Sequence, residues 1–288
     1  MVDPAVLRRF SAGAARYEAH AHAQRLSGVD LLAYTVASMG PAPNRGPAFK
    51  ILEPGCGTGL YTRMLLEAFR AASVFGVDIS EAMVRVAKRG IDDPRARFAV
   101  ADAEEIATGS YDLVTSNAVF QWFLSLPRTL ARMASLLPDG GLLTFSFFGP
   151  GTFAELDDAL RAAAGGESRG FVAATKFHSR EEISAALSAA FPRWDVVERR
   201  YHEEFPTLPD LLRSIRYTGT RGKGARESWS PGKLARVEEA YRERSGGIKA
   251  TYQVFLCRGI IDDGQGRPSV GAGRDARDLV VAARGAER

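Results

Sequence analysis

The chain lacks a long apolar run. Nothing in its 288 residues approaches the about 20 consecutive apolar positions that a membrane-spanning helix needs. The opening MVDPAVLRRF has no apolar stretch behind its charges, so neither a bilayer span nor a secretory leader is expected. Cysteine is nearly absent. Cys56 and Cys257 stand far apart, which excludes a disulfide framework or a cysteine metal site and fits a reducing cytoplasm. Charge of one sign is also lacking: the net charge of +4 is small for this length and, without a concentrated patch, indicates no nucleic-acid partner. Of the four histidines, His20 and His22 lie two apart on an expected helix. They share no face there, make a poor metal pair and are expected at the surface.

What is present describes an ordinary globule. The composition, 45% apolar and 25% charged, supplies a sizeable core, and the length suits one large domain with a modest insertion. Residues Asp3 to Met39 read as helical, with Leu7, Phe10, Ala14, Tyr17 and Ala21 at helical spacing. The Gly40–Ala48 stretch, rich in proline and glycine, reads as a linker. Strands and helices then alternate: Phe49–Leu52, Ser73–Val77, Arg97–Ala101, Tyr111–Thr115 and Leu142–Phe148 as strands, with helices over Leu60–Ala71, Ser80–Lys88 and Leu126–Leu137. Repeated units of this kind predict an α/β fold with a Rossmann-like, doubly wound, mostly parallel sheet. Helices over Phe153–Ala164 and Ser179–Ala190 follow, and strands over Trp194–Arg200 and Thr251–Cys257. Helices Leu208–Tyr217 and Pro231–Arg244 form an insertion, about 207–247, before the last strand. The expected organisation is therefore an N-terminal helical segment and linker over 1–47, a main domain over 48–258 and a disordered tail over 259–288.

The chemistry is concentrated at three consecutive strand ends. Glu53-Pro-Gly55-Cys-Gly57-Thr-Gly59 follows the first strand and opens a helix, the setting in which glycines let backbone approach a ligand closely. Many strand-to-helix turns contain glycine, so the loop alone is weak. Asp78, followed by Ile79, ends the second strand about 20 residues on, where an acid can bind ribose hydroxyls. Asp102 ends the third strand on the same carboxyl edge of the sheet. Either acid alone could be a helix cap; loop, acid and acid together point to a nucleoside-bearing cofactor. A nicotinamide fingerprint spaces its glycines differently, as G-x-G-x-x-G. Glu53 beside the glycines would repel a pyrophosphate and suits a cofactor that carries an ammonium group.

The motifs ILEPGCGTG, VFGVDIS, AVADAEE and LLPDGGLLTFS resemble the class I S-adenosylmethionine-dependent methyltransferases over about Lys50 to Ser146. The resemblance implies S-adenosyl-L-methionine as cofactor, with Gly55, Gly57 and Gly59 against its methionine portion and ribose. It puts Asp78 on the ribose hydroxyls, Asp102 and Ala103 on the adenine edge, and Asn117 at the methionine end near the reacting centre. A narrower resemblance covers most of residues 9–258. RRFSAGAARYEAHAHAQ, SNAVFQWF, GGLLTFSFFGPGTFAEL, LLRSIRYTGTRG and TYQVFL are similar to the malonyl-acyl carrier protein O-methyltransferases of biotin synthesis. That family implies Tyr17 and Gln24 closing over the methionine end of the cofactor. Ile215–Thr220 reads IRYTGT and departs from the family's usual LKGIGA, which leaves the acyl-end contacts open.

Methylating a malonyl carboxylate requires no general base, because the acid is ionised at neutral pH. Orientation and exclusion of water remain as the protein's work. A free carboxylate wants a cation, and Arg213, Arg216, Arg221, Lys223 and Arg226 follow one another with no acid between them. A stretch of that kind can be a solvated face. The functional reading assigns Arg216 to the malonyl carboxylate, since its planar fork matches one, and the others to docking an acidic acyl carrier protein, with malonyl-coenzyme A as the smaller alternative. Rival readings are methylation of another small acid such as trans-aconitate, an RNA methyltransferase using the basic stretch, and a methyltransferase-fold assembly factor.

Overall fold

A computed structural model describes residues 4–39, 49–164, 172–218 and 230–262. The Gly40–Ala48 stretch, the basic positions 221, 223 and 226, and nearly all of the expected tail lie outside these residues.

Seven strands form one sheet: β1 (Lys50–Pro54), β2 (Ser73–Asp78), β3 (Ala96–Val100), β4 (Leu113–Ser116), β5 (Leu142–Phe148), β6 (Arg193–Phe205) and β7 (Ile248–Ile260). Their order is β3-β2-β1-β4-β5-β7-β6. The first five pair in parallel, and β7 runs antiparallel between β5 and β6. The sheet is thus mostly parallel, as the alternating pattern implies. Its chain order reverses at β1 and β4, where the crossovers leave by opposite faces and a crevice opens at the carboxyl ends.

The helices are α1 (Pro4–Gly13), α2 (Tyr17–His20), α3 (His22–Met39), α4 (Leu60–Ala68), α5 (Glu81–Gly90), α6 (Leu126–Ser135), α7 (Ala154–Ala163), α8 (Arg180–Ala190), α9 (Leu208–Tyr217) and α10 (Pro231–Ser245). Their ends follow local chemistry. The Ser80 hydroxyl accepts from Met83 N to cap α5, a full capping box of Ser179 and Glu182 starts α8, and Gly246 ends α10 at φ +66°, a conformation that glycine adopts freely. Strand β5 is buried at every position. Leu143, Phe145 and Phe147 pack with residues of α6 and α8 on one face. On the other face Thr144 and Ser146 turn hydroxyls to α3, with Thr35 Oγ1 2.8 Å from Thr144 Oγ1 and Ser27 Oγ 2.9 Å from Ser146 Oγ. A buried hydroxyl must find a partner, so this ladder fixes α3 against the middle of the sheet.

Two expectations are corrected. The N-terminal helix is not continuous: a 3₁₀ turn at Ala14–Arg16 and a break at the buried Ala21 divide it. The chain bends there, Gly13 packs on the Tyr217 carbonyl so closely that a Cβ would sit 2.8 Å from the oxygen, and Tyr17 turns inward. The last two strands are also longer than their apolar cores, 13 residues each. β6 lies at the sheet edge, and its outward positions in RRYHEE stay polar without ending the pairing.

Candidate active-site cleft

A cleft, partly open to solvent, lies at the carboxyl ends of β1, β2, β3 and β4. The turn after β1 forms its floor. Gly55, Gly57 and Gly59 have φ of +70°, +54° and +83°, all in the region L side chains avoid. At Gly55 a Cβ would collide with the Val119 methyls at 2.4–2.6 Å, whereas at Gly57 it would meet nothing within 4 Å. The space over Gly57 belongs to the cleft, which is what a backbone cradle for a ligand requires.

Two acids flank this turn. Glu53 is 1% exposed, its Oε2 accepts from the Thr62 hydroxyl at 2.5 Å, and burial pushes its pKa up to about 8. Asp78 accepts from Ser80 N at 2.8 Å and Gly57 N at 3.0 Å. Burial outweighs those bonds and lifts its pKa to about 6. An acid held this way, facing an open cleft, is short of positive charge. Asp102 stands two residues beyond β3 and caps a 3₁₀ turn over Ala103–Glu105, accepting from Glu104 N at 3.0 Å. No arginine, lysine or histidine lines the cleft among the described residues. These carboxylate acceptors fit a cofactor that donates from an ammonium group and ribose hydroxyls, and do not fit a pyrophosphate.

The N-terminal segment closes the cleft from above. Leu7 and Phe10 of α1 and Tyr17 of α2 line it, as does Gln24 of α3. Burial, then Asp78 and Glu18, raise the Tyr17 phenol far above its ordinary range, so it stays a neutral hydroxyl. The segment is pinned at three places. Ser11 Oγ lies 2.8 Å from Ser80 Oγ. Both Glu18 carboxylate oxygens accept from Arg63 Nη2 at 2.7 Å. Arg16 donates to the Tyr217 hydroxyl at 2.8 Å, and His20 stacks on the Tyr217 ring with centroids 4.7 Å apart. His20 is therefore packed rather than free at the surface; His22 is exposed.

The structure brings Tyr17, Gln24, Glu53, Gly55, Gly57, Asp78, Ile79, Asp102, Ala103 and Asn117 to one cleft. Gly59 stands just outside it as the left-handed residue that starts α4. Asn117 is less available than its position suggests. Its Oδ1 accepts from Ser27 and Ser146, and its Nδ2 donates to Gln24 O at 2.8 Å, so the side chain is locked into the wall. Arg216 is not brought to the site. The inward face of α9 is Leu208, Leu211, Ser214 and Ile215, and Arg216 lies exposed on the opposite side, outside the cleft lining among the described residues. Arg213 engages Asp210 at 2.6 Å, a nearby acid that lies before the basic stretch.

Sequence reasoning missed the apolar mouth. Phe10 and Trp122 meet edge to face at 5.8 Å, and Trp122 meets Phe177 likewise at 5.4 Å. Phe10 carried only the signal of a helical apolar stripe, which usually means core. Trp122 stood in the motif SNAVFQWF and could have been found there.

Known proteins share sequence or fold with this chain. Residues 51–141 match the family described as a methyltransferase domain. The chain is 35% identical over 271 residues to a malonyl-[acyl-carrier protein] O-methyltransferase from Geobacter sulfurreducens, covering 88% of this chain and 97% of that one. A protein of the same name from Paenibacillus is 34% identical, covering 88% and 96%. Among solved structures, the YcgJ protein from Bacillus subtilis aligns with a TM-score of 0.54 at 17% identity, over 82% of this chain and 99% of that one, a likeness of fold.

Proposed function

The chain belongs to the malonyl-[acyl-carrier protein] O-methyltransferase family, and on that premise we propose that it converts the free carboxylate of a malonyl thioester to its methyl ester in biotin synthesis, using S-adenosyl-L-methionine. The observation that carries this reading is the extent of the similarity. It spans 97% of the Geobacter relative, and so includes the helical insertion as well as the cofactor half shared by many methyltransferases.

Bound S-adenosylmethionine supplies a methyl group activated by a sulfonium. The chain's residues hold it: Glu53 takes the ammonium, Asp78 accepts from the ribose hydroxyls, and Asp102 with Ala103 meets the adenine edge. Ile79 supplies apolar contact, and Gly55 and Gly57 leave room for backbone approach, with Gly59 setting the start of α4. Tyr17 and Gln24 cover the methionine end, and Asn117 shapes the wall beside it. No side chain needs to remove a proton, since the substrate carboxylate is already ionised. The protein's contribution is orientation, which can amount to ~7–11 kcal/mol, and a dry mouth formed by Phe10 and Trp122. The cation-free lining among the described residues disfavours a small polyanion such as trans-aconitate, which would bring several uncompensated charges into it.

Arg216 then belongs with the basic residues that follow it, as surface charge for receiving an acidic carrier protein. Transfer of labelled methyl to malonyl-carrier protein, beside trans-aconitate, tests the assignment. Strong labelling of the carrier alone supports it. Labelling of trans-aconitate alone overturns it.

A further inference from the structure

The cleft presents the substrate with an electrostatic problem. Glu53, Asp78 and Asp102 line it, and among the described residues no cationic side chain does. Arg63 acts on Glu53, but its guanidinium is held by both oxygens of Glu18. The mouth is aromatic, with Phe10 against Trp122. A malonyl carboxylate entering such a place sheds water and meets acids, which is unfavourable unless positive charge awaits it.

We propose that the cleft's own side chains make capture of the malonyl carboxylate conditional on the positive charge of the bound cofactor, so that the cofactor must bind first and the carboxylate is refused once that charge is gone. The inference rests on the malonyl thioester reading above. A protein cation at the carboxylate would hold it equally before and after the reaction. Here the charge leaves with the reaction itself. The carboxylate oxygen bonds to the methyl carbon, the sulfur–carbon bond breaks with its electron pair left on sulfur, and both the substrate's negative charge and the sulfonium's positive charge disappear. The resulting neutral ester has no reason to stay. Among the described residues a fresh malonyl group finds no counter-charge until S-adenosylhomocysteine is exchanged, so the cleft avoids a dead-end complex of substrate with spent cofactor.

A unit charge about 6 Å away, at an effective dielectric of about 20, corresponds to about a hundredfold in affinity. Calorimetry on the full chain reads this directly. Malonyl-coenzyme A is titrated into the free protein, into protein saturated with S-adenosylhomocysteine, and into protein saturated with sinefungin, which carries an ammonium where the sulfonium stands. Acetyl-coenzyme A, without a carboxylate, is the control. Malonyl-coenzyme A is expected to bind the sinefungin complex about ten- to a hundredfold more tightly than the other two states, and acetyl-coenzyme A to bind all three alike. Equal malonyl affinities overturn the proposal, because they put a protein cation at the carboxylate; so does an equal gain for acetyl-coenzyme A. Methyl transfer to malonyl-coenzyme A, measured separately, keeps the two claims apart. Transfer with equal affinities overturns this inference alone, and absence of transfer with either malonyl thioester removes the substrate reading and the inference with it.

Discussion

Thr62 donates its hydroxyl to Glu53 across 2.5 Å beneath the glycine turn, and that bond does not offset the burial that lifts the carboxyl to a pKa of about 8. The ligand-free protein therefore holds a proton at Glu53 at neutral pH, and a bound ammonium must displace it.

Proton release follows. Near pH 7, binding of S-adenosylmethionine is expected to release most of one proton. Calorimetry in buffers of different ionisation enthalpy measures it as a buffer-dependent heat. Affinity should rise as pH climbs toward 8, because the ionised carboxylate is the binding form. It should turn over above that, where the ligand's own α-amino group, ordinarily about 7.7–8.0, loses its charge. Glu53→Gln should abolish the release and weaken binding about 10- to 100-fold.

The same shift has a stability consequence of opposite sign. A carboxyl whose folded pKa lies above its unfolded value, about 4, stabilises the fold fully below that value and loses the contribution as pH rises through about 8. Asp78 acts likewise up to about 6. The ligand-free wild type should thus lose melting temperature between about pH 4 and pH 8. Glu53→Gln should flatten part of that slope and melt higher than wild type at pH 8. A mutant that melts lower there would show that the carboxylate is compensated in the free protein.

The two inner glycines should respond differently to a methyl group. Gly55→Ala meets the Val119 methyls at 2.4–2.6 Å in a left-handed backbone, and should destabilise the turn and the protein. Gly57→Ala has open space and should fold, carrying only the left-handed strain of about 1–2 kcal/mol. Its methyl occupies the cleft, so cofactor affinity should fall by more than melting temperature suggests. Thermal melts with and without S-adenosylmethionine distinguish the two cases.

Much of this was legible in the sequence, for reasons visible in particular residues. The β1 to α4 turn was readable because three left-handed positions demanded glycine, and Asp78 and Asp102 because strand ends bring distant acids to one edge. Tyr17 and Gln24 came only through family resemblance, since a bent N-terminal segment gives no periodic sign of where it bends. The exposure of Arg216 was not legible, because charge is read along the chain whereas the helix face decides: α9 buries Ser214 and Ile215 and leaves Arg216 outward. Neither the His20–Tyr217 stack nor the Asn117 network leaves a mark in linear spacing: Tyr217 lies 197 residues from His20, and Asn117 meets Ser146 of β5 29 residues away and Ser27 of α3 90 residues away.

If the basic residues receive the carrier, they should matter to one substrate only. Arg216→Ala alone, an exposed cation, should change little, about 0–1 kcal/mol. Combined with Arg221→Ala and Lys223→Ala, it should slow methylation of malonyl-carrier protein in a salt-dependent way. Activity on malonyl-coenzyme A should persist. Equal losses on both thioesters would place one of these cations at the reacting carboxylate.

The identity of the methyl acceptor is read by intact-protein mass spectrometry of malonyl-carrier protein incubated with this chain and S-adenosylmethionine. The expected result is a carrier heavier by one methyl group, on the malonyl carboxylate, with release of S-adenosylhomocysteine and no gain on carrier bearing an acetyl group. A malonyl-carrier mass that stays unchanged in the presence of folded, cofactor-binding protein would show that the malonyl carboxylate is not the methyl acceptor.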